Sequence, residues 1–132
     1  MTMGHGKFAT AVNCMDGRTQ LPVNEWMCRR YGIQFVDTIT EPGPVRLLAA
    51  ASDAPALESL RRRVAISVER HGSRHVAIVA HEDCAGNPLP RESQLAQLVA
   101  AYRTVAGWGL PATIDLLWLG GDWNVELISA PD

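Results

Sequence analysis

The sequence lacks several features that mark common classes of protein. Its net charge is −2 at pH 7, so it has no basic excess of the kind that nucleic-acid-binding domains carry, and we expect no nucleic acid partner. It has no run of about 18 apolar residues, the length that a membrane-spanning helix needs, so we expect no membrane partner. Its N-terminal stretch has no apolar segment like that of a signal peptide, which predicts a cytoplasmic protein whose residues 1–7 form a flexible tail.

Cysteine is scarce as well, with three residues in the chain. An odd number does not suit a disulfide framework, and in a reducing compartment cysteines serve as metal ligands, catalytic groups or core residues. What the sequence has in quantity is apolar: hydrophobic residues are 47% and charged residues 20%, which is typical of a globular domain. A chain of 132 residues can form one core, and this one has no linker or repeat, so we predict a single domain over residues 1–132.

Short apolar runs alternate with amphipathic segments along the chain. The runs, which we predict to be strands, cover residues 8–13, 34–39, 75–80, 113–119 and 123–129. The segments, which we predict to be helices, cover residues 22–30, 45–51, 54–71 and 91–106. This order predicts an α/β fold with a mostly parallel central sheet flanked by helices. The last strand follows a Gly-Gly-Asp turn, so we expect it to pair antiparallel at the edge of the sheet.

Three residues that can bind a metal follow the predicted strands. Cys14 comes directly after the first strand, and His81 and Cys84 come after the third. Open α/β sheets place their ligand sites outside the carboxyl ends of the strands, and parallel neighbours align those ends in space. A catalytic zinc ion is held by three protein ligands and keeps a fourth position open. The pattern therefore predicts a zinc site at these three residues, whereas Cys28, inside a predicted helix, is interpreted as a packing residue.

Asp16 and Arg18 add a second part to this candidate site. A carboxylate beside zinc can accept a hydrogen bond from hydroxide on the metal, or it can bind the metal itself. An arginine two residues away can hold that carboxylate off the metal through a bidentate pair. Two alternatives stay open: Asp16 and Arg18 are a turn residue and a solvated cation, or Cys14 or Cys84 is a nucleophile with His81 as its base.

Together these residues resemble a known family. Cys14-Met15-Asp16-Gly17-Arg18 and His81-Glu82-Asp83-Cys84 are similar to the two motifs of the β-class carbonic anhydrases, and residues 117–125 resemble that family's closing hairpin. The resemblance implies a β-carbonic-anhydrase-like fold and a zinc lyase that reversibly hydrates carbon dioxide to bicarbonate through a zinc-bound hydroxide. It implies a homodimer or a larger homo-oligomer, with the active site near the subunit interface. It also implies that the zinc ligands are Cys14, His81 and Cys84, and that the catalytic dyad orienting the hydroxide is Asp16 and Arg18.

The chain departs from the family's pattern beside the predicted ligands. After its second strand the family usually has Arg-Asn-Ala-Gly, whereas this chain reads Thr38-Ile39-Thr40-Glu41-Pro42-Gly43. The family's Cys-Gly pair at the last ligand is Cys84-Ala85-Gly86 here. These changes fall on the expected pocket wall and not on the ligands. They leave two further interpretations open: a zinc-binding protein without hydratase activity, and a related hydrolase of carbonyl sulfide or carbon disulfide.

Overall fold

One five-stranded sheet forms the centre of the molecule, which the computed structural model describes over residues 6–130. The strands are β1 (Phe8–Cys14), β2 (Phe35–Glu41), β3 (His75–His81), β4 (Thr113–Leu119) and β5 (Val125–Ile128). They lie in the order β2-β1-β3-β4-β5. Strand β1 pairs parallel with β2 and β3, and β3 with β4, while β5 pairs antiparallel with β4. The predicted fold class is confirmed.

Helices cover both faces of this sheet. They are α1 (Gly17–Tyr31), α2 (Pro44–Ala50), α3 (Ala54–Arg70) and α4 (Arg91–Ala106). Helix α1 packs Val23 and Met27 on one face, and full burial of a methionine side chain stabilises a fold by about 1.5–3 kcal/mol. Helices α2, α3 and α4 pack on the other face around Leu48, Leu60 and Leu98. No helix between residues 6 and 130 is both long enough and apolar enough to cross a membrane.

Helix α1 begins at Gly17, so the predicted start at Pro22 is wrong. The carboxylate of Asp16 caps the helix by accepting the backbone N–H of Arg18 at 2.9 Å. Pro22 lies inside the helix, although proline is best tolerated in a first turn, which is why the sequence pointed to a later start. The end is as predicted, with Gly32 in a left-handed conformation at φ 63°. The earlier start places Arg18 in the first turn of α1.

The remaining elements lie close to their predicted bounds. Helix α4 and strand β4 match them, and Asp53 caps α3 by accepting the amide of Ala56 at 3.1 Å. Strand β5 is shorter than predicted, because the preceding turn extends further. There Asp122 accepts the amide of Asn124, and Trp123 adopts a left-handed φ of 59°.

Most of the N-terminal tail that the sequence predicts over residues 1–7 lies outside the described residues, which begin at Gly6. Lys7 is joined to the start of β2, because its carbonyl oxygen accepts the amides of Gln34 and Phe35, each at 3.1 Å.

Candidate metal centre

Three side chains able to bind a metal meet at the carboxyl end of the sheet. Cys14 is the last residue of β1, His81 is the last residue of β3, and Cys84 lies in the loop that follows. Their ligand atoms all lie within 4.8 Å of one another, and the two Sγ atoms are 3.8 Å apart. All three residues are buried. Because β1 and β3 are parallel neighbours, their ends align, and the structure brings together the residues that the sequence proposed as ligands.

His81 is oriented so that one ring nitrogen is free. Its Nδ1 lies 2.7 Å from the carbonyl oxygen of Glu82 and so donates a hydrogen bond to it. Its Nε2 is buried and has no hydrogen-bond partner among residues 6–130. A metal-binding histidine usually donates its other ring N–H to such a carbonyl, which fixes the tautomer and leaves a lone pair on the ligating nitrogen. This imidazole and two thiols fit the donor set that zinc prefers.

The two thiols of the cluster differ in acidity. Burial raises the pKa of the Cys14 thiol, but the His81 imidazole and two backbone amides together lower it by more. The net pKa is about 7, below the usual value for a thiol. Burial raises the pKa of the Cys84 thiol, and the neighbouring charge of Cys14 raises it more. Cys14 is therefore the thiol that ionises first, and binding of a metal ion would release the proton of Cys84.

Asp16 and Arg18 form a close ion pair beside this cluster. Nη2 of Arg18 donates to Oδ2 of Asp16 at 2.7 Å, and its Nε lies 3.1 and 3.3 Å from the two carboxylate oxygens. These hydrogen bonds from Arg18 lower the pKa of Asp16 to about 2, so its carboxylate is ionised at neutral pH. The pair that the sequence predicted is present, while its role toward a hydroxide stays a prediction.

Arg18 also contacts two elements that the sequence analysis did not connect with it. Its Nη2 donates to the carbonyl oxygen of Asp83 at 3.1 Å, and its Nη1 lies 3.4 Å from the Asp83 carboxylate. Its guanidinium carbon lies 4.4 Å from the ring centroid of Trp123. Asp83 stands inside the His-x-x-Cys motif, which was the available signal. Trp123 follows a Gly-Gly-Asp turn and was interpreted only as part of a strand.

Gln94 is a second residue that sequence reasoning missed. This buried side chain on α4 donates from Nε2 to the carbonyl oxygens of His81 and Leu89, both at 2.9 Å. Gln94 therefore fastens both ends of the loop that carries Cys84. The available signal was its position four residues before Leu98, which puts it on the buried face of α4.

Two glycines let the loops around the cluster approach each other closely. A Cβ atom on Gly86 would lie 2.6 Å from the carbonyl carbon of Pro42, which is backbone and cannot easily move. Gly43 has φ +61°, and a Cβ atom there would lie 2.9 Å from Cβ of Asn87. The loop after β2 is therefore packed backbone to backbone against the loop that carries Cys84.

A small cavity of about 220 Å³ opens next to the cluster. It is lined by Cys14, Met15, Asp16, Pro42, Ala85 and Gly86. The side chains are mostly apolar, and Asp16 is the charged residue among them. Pro42 and Ala85 stand at positions where this sequence departs from the family's pattern, so the departures fall on the cavity wall as expected.

Comparison with known proteins gives a family match and several structural matches. A family model described as "Putative carbonic anhydrase" matches residues 4–129. The crystal structure of β-carbonic anhydrase isoform I from Trichomonas vaginalis has a TM-score of 0.56 and 18% identity, over 92% of this chain and 82% of its own. The β-carbonic anhydrase CafA of Aspergillus fumigatus has a TM-score of 0.56 and 16% identity, over 97% of this chain and 77% of its own. No curated protein matches the sequence. At these identities the two crystal structures show that the fold is shared.

Proposed function

The chain belongs to the carbonic anhydrase family as a divergent β-class member, and on that premise we propose that it is a zinc-dependent lyase that interconverts carbon dioxide and bicarbonate. One observation carries the proposal. The buried cluster of Cys14, His81 and Cys84 provides two thiols and an imidazole nitrogen that has no other partner within residues 6–130.

The three residues of the cluster would hold the metal. A bound zinc ion supplies a hydroxide nucleophile at neutral pH, because it lowers the pKa of water to about 7. Cys14, His81 and Cys84 make three protein ligands, the number that leaves a position open in catalytic sites. The hydrogen bond from Nδ1 of His81 to Glu82 keeps the ring in the tautomer that can bind the metal.

Asp16 and Arg18 would orient the nucleophile. The ionised Asp16 carboxylate lines the cavity and can accept a hydrogen bond there. Arg18 occupies both carboxylate oxygens with its N–H groups, which favours a charged Asp16 that stays off the metal. We therefore propose that Asp16 accepts a hydrogen bond from the attacking group and so orients it, and that Arg18 holds Asp16 in place.

The cavity wall favours a small, uncharged, apolar substrate. Met15, Pro42 and Ala85 bring apolar groups, and the Arg-Asn pair usual in the family is absent from this sequence. Carbon dioxide fits this description, and it is the substrate that we propose. Carbonyl sulfide and carbon disulfide fit it too, so they form the second candidate pair of substrates.

We also propose a cytoplasmic homodimer or larger homo-oligomer. Three free cysteines suit a reducing compartment. Met15, which lines the cavity, and Leu21, on α1, are 64% and 66% exposed, and among residues 6–130 no strand pairs with the outer edge of β2. Light scattering after size-exclusion chromatography tests the assembly, and an active monomer would contradict it.

The proposed function is tested by zinc content together with stopped-flow carbon dioxide hydration. We expect about one zinc ion per chain in the wild type and in Cys28→Ser, because the half-buried Cys28 lies outside the cluster. We expect Cys14→Ser to lose both the zinc and the hydration rate. The same zinc-loaded protein should be assayed with carbonyl sulfide and carbon disulfide.

Other results of these assays would favour one of the alternative functions. Zinc binding with no hydration above the buffer rate would contradict the lyase proposal and favour a metal-binding protein without this activity. Hydrolysis of carbonyl sulfide or carbon disulfide alone would favour the second pair of substrates. No zinc, with Cys14 and Cys84 open to alkylation whether or not a chelator is present, would favour a thiol-based enzyme.

A further inference from the structure

Trp123 is held in a conformation that its residue type does not favour. It lies in the turn between β4 and β5, where its amide donates to the carbonyl oxygen of Gly120 at 2.9 Å. Its φ of 59° is left-handed, which is uncommon for a bulky residue and costs free energy. Such a conformation persists only where surrounding contacts determine it, so the contacts of the indole ring need a physical account.

Two of these contacts are with residues of the candidate metal centre. The guanidinium carbon of Arg18 lies 4.4 Å from the indole centroid, within the range of a cation–π interaction. The His81 ring centroid lies 5.8 Å from it, with the planes inclined by 45°. One half-buried indole from the β4–β5 turn thus packs against one member of the ion pair and one candidate ligand.

Arg18 needs such a restraint because its ion pairs alone do not fix it. The side chain is 46% exposed, and exposed ion pairs contribute little. Its two carboxylate partners also compete: Asp16 lines the cavity, whereas the Asp83 side chain is 81% exposed. A guanidinium that turned toward Asp83 would leave Asp16 without its donors. A ring stacked on the guanidinium limits that rotation.

We propose that Trp123 is a positioning residue that holds the Arg18 guanidinium on Asp16 and restrains the His81 ring. The part concerning Arg18 stands on contacts within the chain, and the part concerning His81 rests on the proposed zinc function. Trp123 therefore joins the last hairpin of the fold to both halves of the site.

The test uses the full chain with Trp123 replaced by glycine or phenylalanine. Glycine suits the left-handed backbone and relieves its strain, so Trp123→Gly should fold, and thermal unfolding checks that it does. Trp123→Phe keeps a ring. Trp26→Leu is the matched control, because Trp26 also faces an arginine, Arg30, at 5.8 Å, but away from the cluster.

The first readout is solvent exchange of the Arg18 Nε–H proton, measured by NMR in the zinc-free protein. That proton is hydrogen-bonded to Asp16, so its exchange rate reports how long the pair persists. We expect exchange to be about two- to fivefold faster in Trp123→Gly, the factor that corresponds to losing one exposed cation–π contact. Trp123→Phe and Trp26→Leu should stay close to the wild-type rate.

The second readout is zinc affinity, measured by competition with a chelator. We expect Trp123→Gly to bind zinc about tenfold more weakly, as is usual when a residue that orients a ligand is removed. We expect the zinc affinity of Trp123→Phe to be close to that of the wild type.

A wild-type Arg18 exchange rate in a folded Trp123→Gly protein would overturn the proposal, and unchanged zinc affinity would overturn its His81 part. A wild-type chain that binds no zinc would contradict the proposed function, while the Arg18 readout would still decide the role of Trp123.

Discussion

The first and last residues of β3 are both histidines, and their surroundings differ between the two ends of the sheet. At the amino end, Nδ1 of His75 lies 2.9 Å from the Thr113 hydroxyl, and the ring stacks on Tyr31 at 4.1 Å. At the carboxyl end, Nε2 of His81 is buried without a partner in residues 6–130, beside the thiols of Cys14 and Cys84. Buried polar atoms are normally paired, so an unpaired imidazole nitrogen beside two thiols supports the metal site proposed at the carboxyl end.

The other unpaired atoms strengthen this contrast. Within residues 6–130, the buried side-chain polar atoms without a partner are Nδ2 of Asn13, Oδ1 of Asn24, Nε2 of His81 and Oε1 of Gln94. Asn13 directly precedes Cys14, and Gln94 binds the His81 carbonyl. Three of these four atoms therefore belong to candidate ligands or their immediate supports. The carboxyl end retains buried polar groups at a cost to stability, as functional sites do.

Replacing each β3 histidine with leucine tests most directly whether the two ends of the sheet differ in function. We expect His81→Leu to abolish stoichiometric zinc binding. In the zinc-free chain it should change the free energy of unfolding by less than about 1 kcal/mol, because it removes an unpaired buried nitrogen along with one hydrogen bond. Metal analysis and urea unfolding of the zinc-free protein measure the two effects.

The control is His75→Leu, which should do the opposite. Loss of its hydrogen bond to Thr113 and its stacking on Tyr31 should lower stability by about 1–2 kcal/mol and leave zinc content unchanged. The contrast between the two ends fails if His75→Leu loses zinc, or if His81→Leu is the more destabilising change in the zinc-free chain.

Gly86→Ala tests whether backbone contact between the loops shapes the carboxyl end. The new Cβ would meet the Pro42 backbone at 2.6 Å, so one loop must shift. We expect a loss of about 1–3 kcal/mol, the usual range for overpacking, together with weaker zinc binding because Cys84 moves with its loop. Gly17→Ala is the control, since a Cβ there meets nothing within 4 Å. Equal stability and zinc affinity in the two variants would show that the close approach is not needed.

Gln94→Leu tests the support beneath His81. Leucine fills much of the space but cannot donate to the carbonyls of His81 and Leu89, so the loop should loosen. We expect zinc affinity about tenfold lower, by chelator competition, the lower end of the range for residues that orient ligands. The exposed neighbour Ser93 provides the control, as Ser93→Ala. Wild-type zinc affinity in Gln94→Leu would show that Gln94 does not support the site.

Tyr31→Phe tests the structural role of the amino end through the pH dependence of stability. The part-buried Tyr31 hydroxyl donates to Asp115 at 2.6 Å, and the partial burial, followed by this hydrogen bond, raises the pKa of Tyr31 well above its usual range. The unfolded chain loses that proton near pH 10 while the folded chain keeps it. The stability that Tyr31 contributes is thus present below about pH 10 and falls above it, by at most about 1.4 kcal/mol per pH unit.

We expect Tyr31→Phe to lower stability by about 1 kcal/mol at pH 8 and to show a shallower alkaline fall in urea unfolding at pH 8 and 11. Zinc binding at neutral pH should not change. An unaltered alkaline slope would show that Tyr31 does not titrate as its contacts indicate.

Much of the fold follows from local patterns that the sequence displays. The bounds of α4 and β4 follow from apolar periodicity and flanking turn residues, and the end of α1 follows from Gly32. The start of α1 did not follow, because Pro22 gives a stronger local signal than the cap at Asp16. Competition between two local signals is decided by packing, which a single sequence does not display.

The candidate site could be predicted where potential metal ligands lie at or just after the end of a strand. Cys14, His81 and Cys84 could be grouped because parallel strands align their ends. Trp123 and Gln94 could not be connected with them, since their contacts depend on how the β4–β5 turn and α4 close over the site. The proposed ligands lie in short sequence motifs, while the residues proposed to position them are identified only from the tertiary structure.

We propose that the buried cluster of Cys14, His81 and Cys84 at the carboxyl end forms a zinc site. Anomalous X-ray diffraction at the zinc edge from crystals of the zinc-loaded protein tests this most directly. We predict one strong peak per chain, about 2.3 Å from Sγ of both Cys14 and Cys84 and about 2.0–2.1 Å from Nε2 of His81. No peak at these atoms, or a disulfide joining Cys14 to Cys84 in zinc-loaded crystals, would contradict the account.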